Sequence, residues 1–390
     1  MRRLPDTAYV LVGRCLAPSL TERQKEALVR DLARPALRWE VLLSEANRQH
    51  ATPLWYARLT AHGLLPLVPE DLAAYLKQLY AANRDRNRML QDELDLILGL
   101  FQANGIPVVL LKGAAVFADG LYDDPGDRLM SDMDLLVPEA QIRDAERLLM
   151  MEGYVDDPTN VSPDDTWPGK SRHSHIPGLL HLRKKIAIEL HYNVAYGLAG
   201  RVLTGRAVRA AVVSGTFRGH PAAWLCPDDR LLHNALHATL PHREFARARV
   251  RLSDLAEFAA LVERYAASID QARFWAIIRR HGLSVPLGSY AFLANRMMQT
   301  PLKPPAAPPA AWHQLRLLGA SPPAAADGFW ADARPKAWRT ASLCYDLAHL
   351  PAWTWINVCY GDERTPFPAR LGCIARHLLR LRTLGNVFRK

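Results

Sequence analysis

The chain of 390 residues is poor in cysteine: five residues (Cys15, Cys226, Cys344, Cys359 and Cys373), odd in number, dispersed, and without a Cys-x-x-Cys pair. This pattern argues against a disulfide framework and a zinc knuckle, and it fits a reducing compartment. The sequence also lacks the ~18 uninterrupted apolar residues that a membrane span requires. A short apolar run over 8–13 follows Arg2 and Arg3, but Asp6 and Arg14 bound it, and it is too brief for the apolar region of a signal peptide. No internal repeat is visible. Together these absences point to a cytoplasmic protein, and the length points to two or three domains.

Positive charge is what the chain has in excess. Lys and Arg number 49 against 39 Asp and Glu, a net charge of +10 that favours anionic partners without choosing among nucleotides, nucleic acid and a membrane surface. The 49% hydrophobic and 23% charged fractions are those of a globular protein. Proline is frequent, with seven of the 28 falling within 301–323 among alanines, as in a linker or an extended wrap.

Periodicity divides the rest. Residues 19–62 read as short helices, and 69–102 as one long helix whose stripe is Leu72, Leu76, Leu79, Leu90, Leu94, Ile97 and Phe101. A buried strand is predicted over 107–111, a helix from Gly113, a strand over 131–137, a helix from Pro138, and a hairpin over 179–192 turning at Arg183-Lys184-Lys185. Helical period returns over 231–240, 252–265, 271–281 and 286–298. The predicted fold class is α+β, a small mixed sheet between helical regions. The corresponding division is an N-terminal helical region (1–104), an α/β core (105–220), a helical region completing a cleft (221–300), a Pro/Ala-rich linker (301–330) and a basic helical end (331–390).

The chemistry concentrates at Ser131-Asp132-Met133-Asp134-Leu135-Leu136-Val137. Residues two apart on a strand point the same way, so Asp132 and Asp134 project from one face. Two adjacent carboxylates repel, and a divalent ion relieves the cost; oxygen ligands suit Mg2+ or Mn2+. Upstream, Leu111-Lys112-Gly113 is a strand that breaks at a glycine into a helix, where free backbone N–H groups and a lysine can meet a phosphate. An ordinary turn with a solvated lysine is the competing reading. In Ile186-Ala187-Ile188-Glu189-Leu190-His191, Glu189 and His191 share the face opposite the apolar residues. Glu189 is either a third metal ligand or a salt-bridge partner of Lys184 or Lys185. Arg128 is either a bidentate phosphate ligand or a surface arginine neutralising Asp124 or Asp127.

This ordered set, with Leu232-His233-Asn234-Ala235-Leu236-His237-Ala238 after it, resembles the poorly characterised bacterial nucleotidyltransferase-like proteins of the polymerase-beta superfamily over about residues 70–260. The resemblance implies a minimal nucleotidyltransferase fold, metal and catalysis at Asp132, Asp134 and Glu189, and phosphates held at the glycine turn by Lys112, Gly113 and Arg128. The activity implied is transfer of an NMP from an NTP to an acceptor (small molecule, peptide or protein, or RNA) with Mg2+ or Mn2+. Gly113-Ala114 stands where the superfamily commonly has Gly-Ser or Gly-Gly, and Glu189 where Asp is more usual. His191 and His237 are expected to border the acceptor or the cleft. His233 and His237, four apart on a helix, fit packing or a cleft wall better than zinc. Arg251 and Asp254 read as a structural ion pair, and His173 and His175 as exposed loop residues. Two rival functions are a degenerate fold kept as a nucleic-acid or protein binding module, and an Asp-x-Asp glycosyltransferase. Against the second, an all-helical stretch precedes the motif where those enzymes place a nucleotide-binding α/β region. The basic end, with Arg376, Arg380, Arg382, Arg389 and Lys390, reads as a solvated helix face or a platform for an anionic acceptor.

Overall fold

In a computed structural model, the structure describes residues 7–158, 174–240 and 250–302. The predicted linker from 303 onward, the basic C-terminal helix and His173 lie outside the described residues.

The short apolar run near the N-terminus is a helix, α1 (Ala8–Cys15), started by the Thr7 hydroxyl, which accepts from the amide of Val10. It is buried almost entirely, and a Cβ at Gly13 would lie 2.9 Å from Sδ of Met297. A side chain there would crowd the face of α13 (Ser284–Met298) that α1 packs on. The helices α2 (Glu22–Leu32), α3 (Trp39–Arg48) and α4 (Thr52–Ala61) fill the predicted helical stretch. They share one hydrophobic core with α10 (Pro227–Thr239), α11 (Leu252–Arg264), α12 (Gln271–Arg280) and α13. Tyr9 seals the junction by donating its hydroxyl hydrogen to the carbonyl of Val250, 2.9 Å away. Residues from both ends of the described chain thus build one helical body.

The long helix α5 spans Glu70–Ala103 and buries Leu76, Leu90, Leu94, Ile97 and Phe101. Its stripe is interrupted by two buried asparagines, Asn83 and Asn87. Both reach across to the loop before the second strand. Asn83 Nδ2 donates to the carbonyls of Gly126 (2.8 Å) and Arg128 (3.0 Å), and Asn87 Nδ2 to that of Arg128 (2.6 Å).

The strands form one mixed sheet in the order β3-β4-β5-β2-β1-β7-β6. In chain order these are β1 (Val109–Leu110), β2 (Asp132–Leu136), β3 (Tyr154–Asp156), β4 (Leu179–His181), β5 (Ile186–His191), β6 (Val212–Phe217) and β7 (His220–Leu225). The strand β2 runs antiparallel to β1 and parallel to β5, while β1 runs parallel to β7. The α+β class is as expected from the sequence, and β4 and β5 form the predicted antiparallel hairpin. The β6–β7 hairpin and β3 have no counterpart among the predicted strands.

Alternation assigns the two faces. Met133 and Leu135 of β2, with Ile186, Ile188 and Leu190 of β5, pack on α7 (Ile142–Met151) and the C-terminal half of α5. The opposite face, turned away from that core, carries Asp132, Asp134, Glu189 and His191. Among the described residues, no helix is long and apolar enough to cross a membrane.

Candidate active site

Three short segments bring the site together. On β2 and β5, Cα register sets Asp134 directly beside Glu189 and Leu136 beside His191. On the other side of β2, the amide of Leu111 donates to the carbonyl of Asp134 (3.0 Å), which places Lys112 over the same carboxylate. Lys112 begins α6 (Lys112–Asp119) with a left-handed φ of 44°.

Asp134 is the centre of the cluster. It is 2% exposed, and its Oδ1 accepts from Nζ of Lys112 at 2.6 Å and lies 2.9 Å from Nε2 of His191. That same His191 nitrogen stands 3.5 Å from Oε2 of Glu189, and Nε2 of His175 lies 4.0 Å from it on another side. Among the described residues, Asp134, Glu189 and His191 form a group whose ligand atoms all lie within 4.8 Å of one another. Asp132 borders this group without joining it at that distance, and its carboxylate accepts from the hydroxyl of Ser131 at 2.8 Å.

The electrostatics separate the two aspartates. Burial works against an ionised Asp134, but the Lys112 ammonium and the bonded His191 outweigh it and hold its carboxyl well below the usual range. Burial and the neighbouring negative charge of Asp134 push Asp132 up. Burial disfavours charge on His191 too, yet its hydrogen bonds to Asp134 and Glu189 raise its affinity for a proton. Three carboxylates thus gather about the Lys112 ammonium and the His191 imidazole, with the His175 ring on the far side of Glu189. The mainly oxygen donors and their convergence fit a divalent cation, with Mg2+ or Mn2+ suited to the carboxylates and the imidazole tolerated better by Mn2+.

Glu189 does not pair with the hairpin lysines: Lys184 Nζ instead bonds Oε2 of Glu93 at 2.6 Å. Nor does Arg128 neutralise its neighbouring aspartates. Asp127 accepts from the Tyr80 hydroxyl and Asp124 from the amide of Gly126. Arg128 Nε donates 2.8 Å to Oε2 of Glu257, a buried residue of α11 that is 129 positions away. Its guanidinium lies against Gly113, where an added Cβ would overlap Nη1 and come within 2.7 Å of Cε of Met130.

The wall opposite the sheet is α10. His233 is buried, and burial together with the nearby Lys112 charge pushes its pKa down to about 3, so it is neutral. His237, one turn on, keeps an exposed edge, with the two ring centroids 6.2 Å apart. Surrounding protein and then the Lys112 charge likewise shift His237 downward. Arg251 and Asp254 form no ion pair; Arg251 is the residue preceding α11. His175, expected in an exposed loop, is half-buried, with its ring centroid 5.1 Å from that of His191.

Sequence reasoning missed Glu257, and with it Arg230 of α10, which pairs with Asp119 of α6. Arg230 and Glu257 sit among apolar helix positions, a local signal that each needs a partner, but the partner's identity is not local.

No curated protein and no solved structure matches the chain. The profile of a family described as uncharacterised nucleotidyltransferases matches residues 35–299, from α3 through the whole sheet to the end of α13. The match spans all of the strands and helices that build the site, and the chain belongs to that nucleotidyltransferase family.

Proposed function

We propose that the protein transfers a nucleotidyl group from an NTP to an acceptor, through a polymerase-beta-type site at Asp132, Asp134 and Glu189. The observation that carries this reading is the convergence of Asp134, Glu189 and His191 on one point, beside Asp132, whose carboxyl is pushed up by burial and by Asp134, and the Gly113 turn. An acceptor oxygen or nitrogen attacks the α-phosphorus of the nucleotide. The bond from that phosphorus to the bridging oxygen breaks, and pyrophosphate leaves. Asp132, Asp134 and Glu189 would hold a divalent ion, most simply Mg2+, which would supply charge neutralisation for the triphosphate and the leaving group.

The chain's own groups do the rest. Lys112 and Arg128 bind and orient phosphate oxygens, and the bare Gly113 lets them approach the backbone at the first turn of α6. Glu189 Oε2 accepts the proton that the acceptor loses. His191 fixes both carboxylates through one nitrogen. His237, on the exposed wall of α10, faces the space an acceptor would enter.

The acceptor is a small molecule, a peptide or protein, or RNA. The basic residues Arg376, Arg380 and Arg382 would serve the last two by attracting negative charge. A cytoplasmic site of action, with ATP as one donor, accords with the cysteine pattern and the net charge. A second reading, a degenerate fold used for binding, draws on one observation: Lys112 and His191 already neutralise Asp134.

Incubation with each of the four NTPs, Mg2+ and a panel of acceptors, followed by pyrophosphate detection, separates the two. Wild type should release pyrophosphate, and Asp134→Asn should lower the rate on the order of 100-fold or more. Equal release by both proteins would remove the catalytic reading.

A further inference from the structure

Arg128 is held from two directions. Its carbonyl is gripped by Asn83 and Asn87 of α5, and its Nε is bonded to Glu257 of α11. The remaining edge of the guanidinium rests on Gly113, so closely that any side chain at 113 would displace it. Its side chain is 23% exposed, whereas that of Glu257 is 8% exposed. The acid is therefore the buried anchor, and the arginine the part that reaches the cleft.

We propose that Glu257 is a positioning residue for nucleotide binding: by occupying Nε of Arg128, it turns the Nη edge of the guanidinium toward phosphates at the Gly113 turn. The inference rests on the nucleotidyl-transfer reading of the site. A guanidinium has five donors in a planar fork, so anchoring one of them fixes the plane of the others. Bidentate capture of a phosphate then proceeds without ordering a free side chain. Glu257 stays ionised for this task. Burial opposes its charge, but Arg128 and then Arg230 overcome that and lower its pKa. The geometry also explains a glycine in the turn with alanine after it: the phosphate contact that a hydroxyl would make there is taken over by an arginine lying on the glycine. A merely structural tie between the sheet side and α11 has no need for a guanidinium pressed against a helix start in the cleft.

The test measures binding of a fluorescent ATP analogue with Mg2+, and its displacement by each of the four NTPs. Melting curves run alongside, for wild type, Glu257→Gln, Glu257→Asp, Arg128→Met and the double variant Arg128→Met/Glu257→Gln. Loss of the charge-assisted bond should weaken nucleotide binding by roughly 10- to 100-fold in Glu257→Gln. Glu257→Asp should recover part of it, and the double variant should bind no worse than Arg128→Met alone. Displacement by the unphosphorylated nucleoside should be equal in all of them. If Glu257→Gln does not fold, Glu257→Asp carries the same comparison against wild type. Unchanged nucleotide affinity in a variant that melts lower, or losses that add in the double variant, overturns the inference alone. Failure of wild type to bind any of the NTPs overturns the transfer reading together with it.

Discussion

Two clusters of buried charge flank Gly113, and they are built on opposite principles. In one, Arg128 and Arg230 face Glu257 and Asp119, two cations against two anions, with the Tyr265 hydroxyl donating to Asp119 at 2.9 Å. In the other, Lys112, His191 and His175 stand around Asp132, Asp134 and Glu189, and carboxylates converge instead of pairing off one to one. The balanced cluster draws its partners from α6, α10, α11 and the loop before β2, so it ties the sheet to the helical body. The carboxylate cluster draws on β2, β5 and the start of α6, within one face of the sheet. A balanced buried network has nothing to gain from an added ion. Carboxylates that converge on one point can instead take up a divalent cation.

The comparison breaks most visibly at Asp119. It is the carboxylate paired with the almost fully buried Arg230. Replacing it by alanine leaves a guanidinium without a counter-charge and should cost about 3–5 kcal/mol of stability, read as a shifted midpoint in urea denaturation. A loss below about 1 kcal/mol would mean that water reaches Arg230 and that the cluster is not closed.

Within the carboxylate cluster, the same substitution should act differently at two positions. Asp134→Asn removes the partner of Lys112 and His191 and should destabilise the metal-free protein by about 1–3 kcal/mol. Asp132→Asn removes a repelled charge and should leave stability unchanged or raise it by up to about 1 kcal/mol. Calorimetry in the presence of a chelator distinguishes the two. Adding Mg2+ at tenfold its Kd should then stabilise wild type by about 1.4 kcal/mol and Asp119→Ala by the same amount, because the clusters act independently. Equal melting temperatures for the two asparagine variants would show that Asp132 and Asp134 occupy equivalent environments.

The smallest effect is one of pH. Asp254, half-buried beside the balanced cluster, has its carboxyl pushed up to about 6 by burial and then by the charge of Glu257. A carboxyl whose folded pKa exceeds its unfolded value, ~3.9, favours folding while protonated. Its contribution is complete below the unfolded value and is lost as the pH rises through about 6. Asp254→Asn should therefore melt with wild type near pH 4 and above it at pH 7.5. A constant difference across that range would mean that Asp254 titrates normally.

The parts of the site carried by period were legible in the sequence. Alternation alone orients Asp132 with Asp134 and Glu189 with His191, and the 3.6-residue stripe marks α5. Their joining across β2 and β5 came from the family resemblance, since a parallel pairing 55 residues apart leaves no local trace. The β6–β7 hairpin was missed because it turns at Arg218-Gly219 rather than at an Asn-Gly or Asp-Gly signal, and β6 itself contains Gly215. Trp224 packs over that glycine, closer than a side chain would permit, so the strand is specified by its partner rather than by its own composition. For Arg128 the sequence offers a phosphate or the neighbouring Asp124 and Asp127 as partners, whereas the fold supplies Glu257 from a helix far along the chain. The one overlooked clue was polar: Asn83 and Asn87 interrupt an apolar stripe, and buried amides there must hold another backbone.

The left-handed φ of 44° at Lys112 has a consequence for how freely that position can vary. The residues that adopt such a backbone most readily are glycine, asparagine, aspartate and histidine, and none of them carries a permanent positive charge. A lysine there costs of order 1 kcal/mol in local conformation. Any exchange that eases the backbone therefore removes the ammonium from Asp134, and any exchange that keeps a cation keeps the strain. Arginine preserves the charge but replaces a compact head with a wide planar one, in a space where Asp134 oxygen and lysine nitrogen stand 2.6 Å apart. Position 112 offers no substitution that improves both terms, so selection for stability and selection for the charge at Asp134 pull it in different directions.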